Sequence, residues 1–264
     1  MRIGWRAKHV FMFCKTMTKS TKKRLYHNPE VIISEQEGIR ALHLNGSMVQ
    51  SAMRIAAPNE LELVYTQCMM GFLLFHPKPE NILMIGLGGG SLAKFVYHHM
   101  PDTCLTVIET NPQVIAAAFQ YFELPDENDR FEIITAEGSQ YIARHSEAAD
   151  IIMVDGFDDD YQISSLCSQE FYDETQRTLN RNGILVTNLL SRDKQLKTYL
   201  QRIENSFSGN ILAMMAEIKG NLIVFAFKNK PGKHSWKSIR KNALKLENKY
   251  PLAFSEFVTK LQKY

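Results

Sequence analysis

The sequence predicts an α/β protein: a mainly parallel sheet with an antiparallel C-terminal edge hairpin, preceded by a small N-terminal β unit. Three observations lead there. From Asn81 onward, short apolar strands alternate with helix-length segments, a pattern that requires a mainly parallel sheet with right-handed crossovers. The last two strands, about Asn210–Met215 and Asn221–Phe227, lie too close together for a crossover helix and so form a hairpin. Ahead of Asn81, short strands are separated by turn signals rather than by helices.

Each element has its own justification. Val31–Glu35 and Ile39–Leu44 flank a turn at Gln36-Glu37-Gly38, and Asn45-Gly46 is a strong hairpin signal before a return strand from Ser47 to Arg54. Pro58-Asn59-Glu60 is expected to open a helix carrying Leu61, Leu63, Val64, Met69, Phe72 and Leu73, ended by Pro77 and Pro79. Asn81–Ile85 is a buried strand, and a helix from Ser91 to about Met100 follows a glycine turn. Leu105–Glu109 is the next strand, and Asn111-Pro112 opens a helix with proline at a favoured first-turn position. Phe131–Ile134 and Asp150–Asp155 are strands around a short helix at Ser139–His145. A helix over Ser168–Leu179 leads through an Asn182-Gly183 turn into strand Ile184–Asn188, and another spans Asp193–Glu204. Two helices, near Trp236–Leu246 and Leu252–Leu261, close the chain.

Charge divides the 264 residues unevenly. Residues 1–24 carry eight basic side chains and no acid, and residues 228–264 carry ten basic and two acidic. Of 31 basic and 28 acidic residues in all, 13 basic and 26 acidic therefore fall in 25–227, a balance of −13. An acidic body argues against a nucleic-acid grip and leaves a cationic substrate open. The expected organisation is a basic, disordered tail over 1–24, the β unit over 25–57, an α/β catalytic domain over 58–228 and a basic helical extension over 229–264. No apolar run reaches the roughly 18–20 residues of a membrane span. Cys14, Cys68, Cys104 and Cys167 lack CxxC spacing, so neither a disulfide framework nor a zinc site is expected, and a reducing cytoplasm is the default. His98 and His99, adjacent on a helix, do not share a face and make a poor metal pair. The lysines from Lys228 to Lys249 read as a solvated helix face ahead of an RNA contact.

Chemistry gathers at the strand ends. Gly86-Leu87-Gly88-Gly89-Gly90 lies between a strand and a helix, where glycines permit a tight turn and the helix N-terminus offers unpaired N–H groups. Glu109 ends the next strand, 23 residues after Gly86, where an acid can accept both hydroxyls of a ribose. Glu137 follows the third strand, placed to meet an adenine amino group, and Asp155 ends the fourth. Nicotinamide dinucleotides and S-adenosylmethionine-type nucleosides both use such a crevice. The second fits better: Ser91 stands where the dinucleotide pattern has its sixth-position Gly or Ala, and the acids at 137 and 155 suit a cationic ligand.

These residues resemble the spermidine/spermine synthase family, the polyamine aminopropyltransferases, over about residues 30–228. The likeness rests on Asn45-Gly46 and Gln50, the Tyr65 helix, the glycine loop, Val107-Ile108-Glu109 with Asn111-Pro112, the Glu137 turn, Val154-Asp155-Gly156-Phe157-Asp158, and Gln169-Glu170-Phe171-Tyr172. It implies a Rossmann-like S-adenosylmethionine-dependent transferase fold. It also implies aminopropyl transfer from decarboxylated S-adenosylmethionine, as co-substrate with no tightly bound cofactor, to a polyamine such as putrescine. A homodimer is expected, with no membrane or nucleic-acid partner. By the same resemblance Asp155 is the general base and Asp158 helps hold the amine, on a loop that closes over the site. Gln50, Gly86, Gly88, Gly90, Glu109 and Glu137 bind the nucleoside, and Tyr65 lines the acceptor side. The pattern departs at Gly89, where the family has an Asp that binds the donor's amine tail; at Thr66-Gln67, in place of His-Glu; and at Asp159, in place of proline. Gly89 keeps open the alternative of an S-adenosylmethionine-dependent methyltransferase or a non-catalytic nucleoside-binding homologue on the same scaffold.

Overall fold

The computed structural model describes residues 31–44, 48–144, 149–158, 161–218, 220–230 and 235–263. The basic segment 1–24 and the Asn45-Gly46 turn lie outside them.

A three-stranded antiparallel unit comes first: β1 (Val31–Gln36), β2 (Ile39–Leu44) and β3 (Val49–Arg54). Glu37 and Gly38, at φ 51° and 76°, make the β1–β2 turn with both central residues left-handed, the geometry that matches hairpin twist. Leu42 and Met53 of this unit pack on Ala117 and Phe122 of the body.

The helix expected from Pro58 begins only at Val64. It is a short α1 (Val64–Met69) continued by a 3-10 turn, Met70–Leu74. Residues 60–63 are held out of the helix by other partners. Glu62 pairs with Arg54 at 2.8 Å, and Gln67 Nε2 donates to the Leu61 carbonyl at 2.7 Å.

The body is built from β4 (Asn81–Ile85), α2 (Ser91–His99), β5 (Cys104–Glu109), α3 (Pro112–Tyr121), β6 (Phe131–Thr135), α4 (Gly138–Ala143) and β7 (Ala149–Val154). A two-stranded hairpin, β8 (Phe157–Asp158) and β9 (Tyr161–Gln162), follows. Then come α5 (Gln169–Thr178), β10 (Leu179–Leu190), α6 (Leu196–Ser206), β11 (Ile211–Met215) and β12 (Asn221–Phe227). Local chemistry starts these helices: Asn111 Oδ1 accepts from the Gln113 amide at 2.9 Å ahead of Pro112, and Ser168 Oγ accepts from the Phe171 amide at 3.0 Å. The turn expected at Asn182-Gly183 is instead an irregularity inside β10, whose register against β7 shifts between Leu179 and Ile184.

The chain ends in α7 (Trp236–Glu247), α8 (Phe254–Lys260) and a last strand, β13 (Gln262–Lys263). The sheet order is β13-β11-β12-β10-β7-β4-β5-β6. Strands β10, β7, β4, β5 and β6 run parallel, while β12, β11 and β13 add antiparallel. The edge hairpin is thus present, and the C-terminal strand pairs outside it.

Alternation along the strands buries both faces of the sheet. Met84, Val107, Met153, Val186 and Phe225 pack with α2, α3, α7 and α8. Ile85, Ile108, Ile152, Leu185 and Val224 pack with α4, α5 and α6. Each such side chain contributes roughly 1.5–3 kcal/mol by leaving water. Connections leave β4 towards β5 on one side, while β7 lies on its other side. The carboxyl ends of β4 and β7 therefore frame the crevice where ligands bind in sheets of this kind.

Candidate active site

Gly86 follows β4 and Asp155 follows β7, and the two segments touch. The Asp155 amide donates to the Ile85 carbonyl at 2.9 Å. A Cβ at Gly86 would stand 2.3 Å from the Asp155 carbonyl oxygen, and Gly86 has φ +96°. No other residue fits there without moving the backbone. Gly88 and Gly90 are also left-handed, at φ +54° and +71°, and Gly90 is the residue from which α2 starts. The loop thus turns sharply and presents the N-terminus of α2 to the crevice.

Glu109, at the end of β5, is anchored by backbone. Its Oε2 accepts from the Leu87 amide at 3.0 Å and its Oε1 from the Asn111 amide at 2.8 Å. The carboxylate therefore fixes the glycine loop to the start of α3 while it lines the crevice. Glu137 is the N-cap of α4. It accepts from the Gln140 amide at 2.9 Å, Ser139 Oγ at 2.6 Å and Ser165 Oγ at 3.2 Å. Burial alone would raise its carboxyl, but these hydrogen bonds outweigh burial and hold it below its ordinary value.

Asp155 is held by side chains instead. Its Oδ2 accepts from the Tyr65 hydroxyl at 3.1 Å and its Oδ1 from Asn188 Nδ2 at 2.9 Å. Burial pushes the carboxyl above its ordinary value, and the bonds from Asn188 and Tyr65 pull only part of the way back. Tyr65 is itself pushed well above its usual value, by burial first and then by the Asp155 charge. Its oxygen also lies 3.4 Å from the Gln50 carbonyl, so β3, α1 and β7 meet at this point. Asp158 lies in the β8–β9 hairpin immediately beyond Asp155, and its side chain lies outside what is described.

Gln50, Tyr65, the three glycines, Glu109 and Asp155 are thus gathered at one end of the sheet. Glu137 sits at the same end, behind β6. Asn188, Asn221, Gln162, Ser51 and Phe122 also build the site, and the sequence reading assigned none of them a role. Asn188 offered a signal: the sequence pattern ends a strand on it, as it does on Glu109 and Asp155.

A spermine/spermidine synthase domain model matches residues 62–234. The chain is 42% identical to the polyamine aminopropyltransferase of Chromobacterium violaceum, over 89% of this chain and 90% of that protein. The chain belongs to the spermine/spermidine synthase family. A probable spermidine synthase from Corynebacterium glutamicum shares the fold, with a TM-score of 0.69 at 16% identity over 84% of this chain and 88% of the other. Human methyltransferase-like protein 13, solved with SAH, aligns with a TM-score of 0.59 at 26% identity, over 76% of this chain and 91% of that one.

Within this family the departure at Gly89 has a steric basis. A Cβ there would lie 2.8 Å from both Phe122 Cδ1 and Ser51 Oγ. Phe122 is fully buried at the end of α3, and Ser51 comes from β3. An aspartate at this position requires both neighbours to move, so the missing acid is packed into the structure rather than a simple gap.

Proposed function

We propose that this chain moves an aminopropyl group from decarboxylated S-adenosylmethionine to a polyamine acceptor such as putrescine, with Asp155 as general base. The observation that carries the reading is the Asp155 carboxylate: raised in proton affinity, beside the glycine loop, and held by Tyr65 and Asn188.

An alkyl ammonium has a reference pKa of about 10.4, so the acceptor arrives protonated and cannot attack. Asp155 takes that proton. The freed nitrogen lone pair attacks the methylene carbon bound to the sulfonium. A C–N bond forms, the C–S bond breaks, and its electron pair stays on sulfur, which leaves as a neutral thioether. The new secondary amine departs as its ammonium, and Asp155 returns its proton to solvent. Such proton transfer contributes typically 10²–10⁴-fold to rate.

In this reading Gln50, Gly86, Gly88, Gly90, Glu109 and Glu137 seat the nucleoside, Tyr65 lines the acceptor side, and Asp158 helps hold the amine from the hairpin. Tyr65 supports the arrangement by bonding the base itself. We also place the enzyme in the cytoplasm as a homodimer; the free thiols Cys68, Cys104 and Cys167 are compatible with a reducing compartment. Sedimentation analysis tests the dimer.

Gly89 favours a second reading, a methyltransferase or nucleoside binder that takes intact S-adenosylmethionine, because an acid at that position would repel the methionine carboxylate. Calorimetry with both sulfonium nucleosides separates the two. Tighter binding of the decarboxylated form is expected, and tighter binding of the intact form would sink the aminopropyl reading. Asp155→Asn is expected to cut transfer by about 10²–10⁴-fold and leave nucleoside binding nearly intact.

A further inference from the structure

We infer that Asn188 is a positioning residue for the general base, and that Asn221 decides which end of the Asn188 amide faces Asp155. The inference rests on the reading of Asp155 as base.

Asn188 sits on β10 and is 2% exposed. A primary amide has two ends of nearly equal shape and opposite chemistry: the oxygen accepts and the NH₂ donates. Facing a carboxylate, only the NH₂ end is favourable. Asn221, the first residue of β12, donates its Nδ2 to Asn188 Oδ1 at 2.9 Å. That bond engages the oxygen end and leaves the NH₂ aimed at Asp155 Oδ1, 2.9 Å away. Gln162 of β9 donates to the Asn188 main-chain carbonyl at 3.0 Å, tying the same residue to the hairpin beside the site. The three strands β7, β10 and β12 are adjacent in the sheet, so the relay runs straight across it.

The physical need is plain. A desolvated carboxylate with no donors would hold a proton and could not accept another. Here Tyr65 from α1 serves one oxygen and Asn188 from β10 the other. Among the described residues Tyr65 is the titratable side chain that bonds the carboxylate; Asn188, Asn221 and Gln162 are neutral. Asn188 thus keeps Asp155 ionised enough to work as a base, and Asn221 keeps Asn188 the right way round.

The test is the acid limb of the kcat–pH profile at saturating substrates, a quantity independent of the fraction of active protein. Asn188→Leu removes the donor at similar size and is expected to move the limb up by about one pH unit, with nucleoside affinity by calorimetry unchanged. Asn221→Ala is expected to move it the same way by less, and the double variant to match Asn188→Leu alone. A limb that stays in place in Asn188→Leu, or shifts that simply add, overturns the inference. If Asn188→Leu does not fold, Asn221→Ala carries the test by itself: an unmoved limb refutes. Asp155→Asn, run beside them, separates the two levels. Transfer at the wild-type rate there removes the base reading itself; transfer cut there by about 10²–10⁴-fold, with the limb unmoved in the variants of Asn188 and Asn221, removes only this relay.

Discussion

Glu137 and Asp155 are carboxylates at the same end of one sheet, and the fold treats them in opposite ways. Glu137 caps a helix and accepts from an amide and two hydroxyls, which hold its proton affinity down. Asp155 sits among fewer donors and deeper burial, which hold its proton affinity up. A carboxylate that stays charged suits recognition of a ligand's hydrogen-bond donors; one that takes up a proton suits base chemistry. The number of hydrogen bonds each receives, weighed against burial, separates the two carboxylates.

The comparison breaks most sharply at Asp155. Asparagine there keeps the shape and loses the proton acceptor, so we expect a rate loss of about 10²–10⁴-fold, measured as the single-turnover rate constant at saturating substrates. Nucleoside affinity should be nearly unchanged; a parallel collapse of affinity would make Asp155 a binding residue instead.

On the nucleoside side, Gly89→Asp introduces an acid but drives a Cβ against Phe122 and Ser51. We expect a stability loss of about 1–3 kcal/mol in urea unfolding, the cost of overpacking. An unchanged unfolding midpoint would mean that Phe122 moves aside freely.

Glu137→Ala removes a helix cap and should cost about 1 kcal/mol. The pH dependence follows from the direction of the shift. A carboxyl held below its ordinary value of 4.5 stabilises the fold above that pH, and the contribution is lost as pH falls through the folded value. Wild type and Glu137→Ala should therefore converge in stability under acid. Curves that stay parallel would show that the cap, not the charge, accounts for the loss.

A last, pH-dependent effect concerns Lys94, behind the glycine loop. It is fully buried, donates to the Phe122 carbonyl at 2.6 Å, and lies 3.0 Å from Met53 Sδ. Burial lowers its pKa from 10.5 to about 8, against the nearby Glu123 charge. Between those values the unfolded chain binds the extra proton, so this group makes stability rise with pH. Cys68 and Cys167, pushed from 9.0 to about 11 by burial, act in the opposite sense as pH rises from 9. The difference between wild type and Lys94→Met isolates the lysine, and it should grow in favour of wild type from pH 8 to 10.5. A flat difference would mean that Lys94 titrates normally.

Where the chain repeats a local pattern, the sequence was enough. Strand β4 runs over the residues expected, and α3 starts at Pro112 behind an Asn111 cap, because period and capping are set by neighbours in the chain. The pattern misleads at Pro58-Asn59-Glu60, where Arg54 and Gln67 hold Glu62 and Leu61 out of the helix, and at Asn182-Gly183, which bends inside β10 rather than ending a strand. Both outcomes depend on partners outside the local window.

The sequence by itself determined the fold class, the family likeness, and the strand ends at which Gly86, Glu109, Glu137 and Asp155 stand. Their residue types and spacing are local facts. Only the tertiary structure decided that Gly86 lies against the Asp155 backbone, that Glu137 spends its oxygens on a helix cap, that Gly89 is closed in by Phe122 and Ser51, and that Asn188, bonded by Asn221, donates to Asp155. Those relations join residues from β3 to β12, and hydrogen-bond direction and steric contact exist only once the strands carrying them lie side by side.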